Sequence, residues 1–150
     1  MSNENDTFDA DVFMSAEVTA PMETTFTPVP EGEYSGCIDD VKIRKAKDSV
    51  ICDVTWLLMD EALKAQMSMD RVTVRQSVFL DVEANGALQL GPNKNVQLGR
   101  LRAALNQNGS GPWSFSQLKG AGPVKLTIGI RPDQHDPEKK YNDVKKIAAN

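Results

Sequence analysis

Polar and apolar residues alternate with period two in five stretches of this chain. The clearest is Arg71 to Glu83 (RVTVRQSVFLDVE). There Val72, Val74, Val78, Leu80 and Val82 fall on one face, and Thr73, Arg75, Ser77, Phe79 and Asp81 on the other. Such alternation marks a strand with one face against a core. Asp48 to Met59 does the same with Val50, Cys52, Val54, Trp56 and Leu58 on the inward face, and Tyr34 to Lys45 suits an earlier strand. The short polar link Lys45-Ala46-Lys47-Asp48 joins these two as a hairpin. Val124 to Arg131 turns Val124, Leu126, Ile128 and Ile130 inward, and Tyr141 to Ala148 makes a last short strand. Pro28 and Pro30 favour extended chain ahead of the first strand, and Asn85-Gly86 is a turn signal after the third. Residues 60–70 read as either a turn of helix or a loop.

One stretch has a different period. In GPNKNVQLGRLRAALNQNGSGPW (Gly91 to Trp113), Leu98, Leu101 and Leu105 recur at helical spacing beside Ala104. Asn93 or Asn95 is placed to cap that helix through its side-chain oxygen, and Asn108-Gly109 is the expected stop. Arg100 and Arg102 flank the buried stripe. Trp113 and Phe115 follow and seal the helix against the strands.

The order is strand, strand, strand, helix, strand, strand. It predicts a mainly β fold: an OB-like five-stranded barrel with one helix between strands 3 and 4. A different small β-barrel or an α+β sandwich has the same element count. The domain is expected over residues 28–150, which is ordinary size for one core.

Charge changes the picture at the N-terminus. Residues 1–27 hold Glu4, Asp6, Asp9, Asp11, Glu17 and Glu23 without a lysine or arginine, so the remaining chain carries +2 although the whole carries −4. From Lys94 onward ten bases face four acids. The head, with Phe8 and Phe13 set among acids, reads as a flexible, disordered acidic segment: a solubilising tail, or an acidic-aromatic peptide that occupies a basic groove or recruits a partner. Nothing in it is basic-then-apolar, as a signal peptide would be, and no apolar run approaches the ~20 residues of a membrane span. The expected location is the cytoplasm.

Catalytic and metal chemistry find little to use. Cys37, Cys52 and His135 number fewer than the four ligands of structural zinc, so the two cysteines read as reduced thiols packed as small hydrophobes, and no metal or cofactor is expected. The Gly91-Pro92-Asn93-Lys94-Asn95 run has one glycine and no Ser or Thr after its lysine, so it is not a nucleotide-binding P-loop. At most Lys94 and the free N–H groups of the helix start would touch one phosphate. His135 lies in a hydrophilic loop, and neither a nucleophile elbow nor a metalloprotease helix occurs. The chain reads as a non-enzyme.

Single-strand binding needs cations that follow phosphates and flat side chains on which bases stack. Arg75 and Phe79 lie on the polar face of the third strand, where Phe79 has no core duty. Lys125 and Arg131 mark the outer face of the fourth. Lys139, Lys140 and Tyr141 end the loop before the fifth. Lys42, Arg44, Lys45 and Lys47 crowd the first hairpin, and Lys94 stands before the helix. In an OB-fold the face of strands 2 and 3 and the loops 1–2 and 4–5 form the ligand surface. The bland alternative is that edge lysines deter aggregation and loop charges are solvated.

The segments FTPVPEGEYSGCIDDVKI, LGRLRAAL, LKGAGPVKLTIGI and YNDVKKI, spread over Phe26 to Ile147, resemble phage-encoded OB-type single-stranded-DNA-binding proteins, a phage family long labelled as of unknown function. The resemblance implies a non-catalytic protein that binds single-stranded DNA with low sequence specificity in phage DNA replication or recombination, alongside replication or recombination proteins. The acidic N-terminus departs from the bacterial single-strand binders, whose acidic tip is C-terminal; here the C-terminus is the basic KKIAAN. The competing expectation is a phage adaptor or inhibitor that grips a host or phage protein through the acidic head.

Overall fold

The computed structural model describes residues 8–150. Five strands form one open antiparallel sheet: β1 (Gly32–Ala46), β2 (Ser49–Leu58), β3 (Thr73–Leu80), β4 (Val124–Pro132) and β5 (Lys140–Ala149), in the spatial order β3-β2-β1-β4-β5. The helices are α1 (Ala10–Ser15), α2 (Glu61–Met67) and α3 (Val96–Ala104). The expected mainly β fold and element order are present. The sheet does not close through a hydrogen-bonded ladder: β3 and β5 are its two edges, lying near each other, with α3 packed against both.

The hairpin is as the polar link predicts, with Ala46 opposite Ser49 and Lys47 in the turn at a φ of 49°. Strand β1 serves two neighbours in succession. Gly32–Gly36 pairs with β4, and Gly36–Ala46 pairs with β2, so Gly36 alone belongs to both ladders. A Cβ there would lie 2.7 Å from Leu126 Cδ1 and 3.2 Å from the Leu57 carbonyl oxygen, so a side chain at this crossing point would have to displace buried Leu126.

The core is made by the inward residues that alternation picks out. Cys52, Val54, Trp56 and Leu58 of β2 are fully buried, facing Val74 and Val78 of β3, Val124, Leu126 and Ile128 of β4, and Leu98 and Leu101 of α3. Burial raises the Cys52 thiol to about 11, helped by the neighbouring Asp53 charge, which keeps it an inert packed thiol. Cys37 is only half-buried, with its Sγ 3.4 Å from Met59 Sδ. One polar side chain enters the apolar face: Gln76 accepts the Trp56 indole N–H at 2.9 Å, giving that buried donor its partner.

Local signals explain the remaining elements. Within residues 60–70, Glu61–Met67 forms a helix because the Asp60 carboxylate caps the Leu63 N–H and Leu63 buries against the core. The head is not without structure: Asp9 caps α1 at the N–H groups of Asp11 and Val12, and Phe8 meets Phe13 across the cap, ring centroids 5.4 Å apart. This is a hydrophobic staple, which fixes the chain's path into a helix. The helix buries none of its residues; the head's acids Glu4 and Asp6 lie outside the described residues.

Around α3 two expectations are corrected. Asn95 is the N-cap residue, but at a φ of 50° its side chain turns away from the helix. It accepts from the Asp81 N–H at 2.8 Å and donates to the Asp81 and Gln89 carbonyls, while the Asp81 carboxylate accepts the Asn95 N–H. Asn95 therefore ties the end of β3 to the start of α3. The helix also ends earlier than Asn108-Gly109. Asn106 takes a φ of 58°, and the N–H groups of Asn106 and Gln107 bond back to the Ala103 and Arg102 carbonyls. That is a Schellman stop with asparagine in the left-handed position. β3 likewise stops at Leu80, and Val82 makes only an isolated bridge to Leu88.

Replacing Asn95 with alanine strips these side-chain bonds and leaves a β-carbon at positive φ. We expect Asn95→Ala to lose about 1–3 kcal/mol in chemical denaturation. Asn95→Gly should recover the backbone part, since glycine accepts that φ freely.

Candidate nucleic-acid interface

Register decides which cations share a face. Arg44, Ile51 and Phe79 stand in one row across β1, β2 and β3; Lys42, Asp53 and Ser77 stand in the next; Asp40, Thr55 and Arg75 in the third. These side chains point away from Trp56 and the core. At the free edge of β3 this face runs into a groove of about 830 Å³, whose other wall is β5 and the end of β4, with Arg131, Tyr141, Asp143 and Lys145. A second hollow of about 610 Å³, between α3 and β5, shares Gln76, Gln97, Val144 and Lys145 with the first, so the two form one trough. Six cations line it (Arg44, Arg75, Arg100, Arg131, Lys145 and Lys146) against two carboxylates, Asp53 and Asp143.

The charges on the sheet face are organised by Asp53, which is 7% exposed. Its carboxylate accepts from Arg44 Nε and from Ser77 Oγ at 2.9 Å, and Arg75 Nη2 lies 3.8 Å away. The Arg44 hydrogen bond, then that from Ser77 and the charges of Arg44 and Arg75, hold the Asp53 carboxyl below the usual range, against the opposing pull of burial. Both guanidiniums are thereby aimed from the strand, while half or more of each side chain remains in solvent.

Across the groove, Arg131 bonds Asp143 at 2.8 Å and stands 5.4 Å over the Tyr141 ring. The Tyr141 hydroxyl donates to Asp133 at 3.0 Å, which raises its pKa; the backbone N–H of His135 and this hydroxyl lower that of Asp133. Two aromatic rings are thus held at the groove without being buried: Phe79 is 61% exposed and Tyr141 44%.

Of the residues expected from sequence, Arg75, Phe79, Arg131 and Tyr141 come together in the groove. Lys42 shares the Asp53 face one strand further out. Lys45 alternates to the opposite face, opposite Val50, and Lys47 is in the hairpin turn. Lys94 lies in the turn before α3 and Lys125 beside Ser35 at the far end of β4, both outside the groove lining. Lys139 and Lys140 line a smaller pocket with Thr24, Thr25 and Phe26, which meets the groove at Tyr141. Sequence reasoning missed Lys145 and Lys146. A bulge at Lys145, where Ile128 pairs with Val144 and Thr127 with Lys146, lets both neighbours face the trough, which strict alternation forbids. Arg100 was placed beside the α3 stripe and does line the trough; Arg102 instead covers Trp113, 4.3 Å from its ring centroid.

No protein-family model and no curated protein matches the chain. Among the described residues no helix is long and apolar enough to cross a membrane, and no cluster of His, Cys, Asp or Glu is arranged to hold a metal.

Because the Asp53 pKa is depressed in the folded state, its contribution to stability is complete above the unfolded value of ~3.9 and is lost as pH falls through the lower folded value. Asp53→Asn should therefore show a shallower loss of stability than the wild type between about pH 4 and pH 2. Urea melts across that range check it.

Proposed function

We propose that this chain is a non-catalytic OB-type module that binds single-stranded DNA along the groove between β3 and β5. The strand order β3-β2-β1-β4-β5, with α3 packed against the two edges, supports this reading, because a partly open five-stranded barrel would have that order. The groove lies on the face of β2 and β3 where such barrels take ligands. The observation that carries the reading is that exposed rings and cations line one groove: Phe79, Arg44 and Arg75 on one wall, and Tyr141 with Arg131 over its ring on the other. Phosphates would follow the cations, and bases would stack on the rings with little regard to sequence. The setting in phage replication or recombination rests on the resemblance of the quoted segments.

A second reading, an adaptor that grips a protein through its head, is favoured by one observation. The head displays Phe8, Val12, Phe13, Met14, Val18 and Met22 in solvent among Asp9, Asp11, Glu17 and Glu23, with no basic residue.

Fluorescence anisotropy of a labelled ~30-nucleotide oligo(dT), long enough for more than one site, tests the first reading. Affinity should fall with salt by roughly 0.7 log units per log unit for each phosphate neutralised, and duplex DNA should compete poorly. Phe79→Ala should cost about 1–3 kcal/mol of binding and leave the melting temperature nearly unchanged; a large drop in melting temperature would make Phe79 a core residue instead. Removing residues 1–25 should preserve or strengthen oligo(dT) binding, since it deletes competing negative charge. No binding at low salt by either form would overturn the single-strand reading and leave the adaptor.

A further inference from the structure

Gln76 is the one residue of the inward β3 face that is shared by both hollows of the trough and carries a side-chain hydrogen-bonding group. Its orientation is not free. The Trp56 indole nitrogen can only donate, and it donates to Gln76 Oε1 at 2.9 Å from a fully buried ring. The carboxamide is therefore pinned with Nε2 on the other side. Among the described residues Nε2 has no hydrogen-bond partner, and it is not a buried unpaired atom, so it keeps some access to solvent.

The hollow beside it suits a flat ring. Its walls include Ala103 and Ala104 of α3 and Val144 and Ile147 of β5, and Arg100 and Lys146 supply cations for phosphate. At about 610 Å³ it lies within the range of small-molecule pockets. A nucleobase would set its faces against the aliphatic walls and turn an edge toward Gln76.

We infer that Gln76 reads one base of the bound strand and favours keto bases (thymine, uracil, guanine) over amino bases (cytosine, adenine). The inference rests on the single-strand reading above. Keto bases place a carbonyl oxygen at C4 or C6, where amino bases place an N–H₂ donor. Where the C4 or C6 substituent faces Nε2, the pinned amide donor bonds the first and opposes the second. The usual two-point glutamine contact to adenine needs Oε1 turned to the base as well, and here the bond from Trp56 holds Oε1 toward the core. The preference is local to one base position, so it modulates a binder whose main affinity comes from charge and stacking.

Uracil and cytosine differ little in shape or stacking, so oligo(dU) against oligo(dC) at neutral pH isolates the keto-amino difference. Wild-type protein should bind oligo(dU) roughly three- to tenfold more tightly, about the size of one good base-edge contact. Gln76→Glu keeps an acceptor for Trp56 and presents an oxygen where the donor was; the order should reverse, even though the added charge weakens both. Gln76→Met removes the donor at similar length, and the ratio should fall to about one. Melting curves of each variant confirm that the fold is kept, and the wild-type ratio decides by itself if a variant does not fold. Equal wild-type affinities, or a ratio unmoved in the folded variants, would overturn the assignment of Gln76 while leaving the single-strand reading intact. Failure to bind either oligonucleotide would overturn both.

Discussion

The outer face of this sheet is built around one buried charge. Asp53 sits at the centre of β2, and a carboxylate taken out of water costs several kcal/mol unless it is paired and hydrogen-bonded. Its neighbours on both flanking strands supply the compensation: Arg44 from β1, Ser77 and Arg75 from β3. The requirement is one of folding, met whether or not a ligand is present. Its by-product is a guanidinium, Arg44, hydrogen-bonded in place and a second, Arg75, drawn toward the same carboxylate, on the face that also carries the exposed ring of Phe79. A surface that must attract anions is normally costly to organise, because free arginines lose rotamer freedom when they bind. Here the sheet has already imposed much of that order.

β2 is consequently buried on both faces, by the core on one side and by the ion cluster and Ile51 on the other. The edges of the sheet behave differently. β3 and β5 lie near one another but share no ladder, and α3 fills one end of the space between them. What remains open is a trough with backbone edges, cations and amides along it. Arg75 and Arg131 sit on opposite walls, each held by a carboxylate of its own wall. Among the described residues no salt bridge joins the two walls.

The strands were legible because each has one face against a single core, and period two follows from that geometry. What alternation could not show was anything that depends on register or on an irregular backbone. Ile51 and Asp53 look like surface positions until β1 and β3 are seen to flank them. Lys145 and Lys146 read as pointing to opposite sides until the bulge is known. Lys125 and Arg131 share an outer face, but six residues of strand put them about 20 Å apart, and only pairing with Tyr141 rather than Ser35 brings one to the groove. The Phe8–Phe13 staple was visible as two phenylalanines around Asp9, yet the surrounding acids masked it as mere composition. Asn93 and Asn95 both fitted the head of α3 as side-chain caps; Asn95 stands there without capping, because its partners, Asp81 and Gln89, lie in the segment that follows β3.

Gly36 has a mechanical meaning beyond the space it leaves for Leu126. At Gly36 β1 passes from its ladder with β4 to its ladder with β2, so this residue lies where the half-sheet of β3, β2 and the end of β1 meets the half-sheet of β4 and β5. The width between β3 and β5 is then an angle read at the far ends of two arms that meet at Gly36. A small change of bend there, such as a side chain displacing Leu126 would impose, is multiplied along each arm before it reaches the trough. A residue outside the groove lining thereby bears on the groove's width.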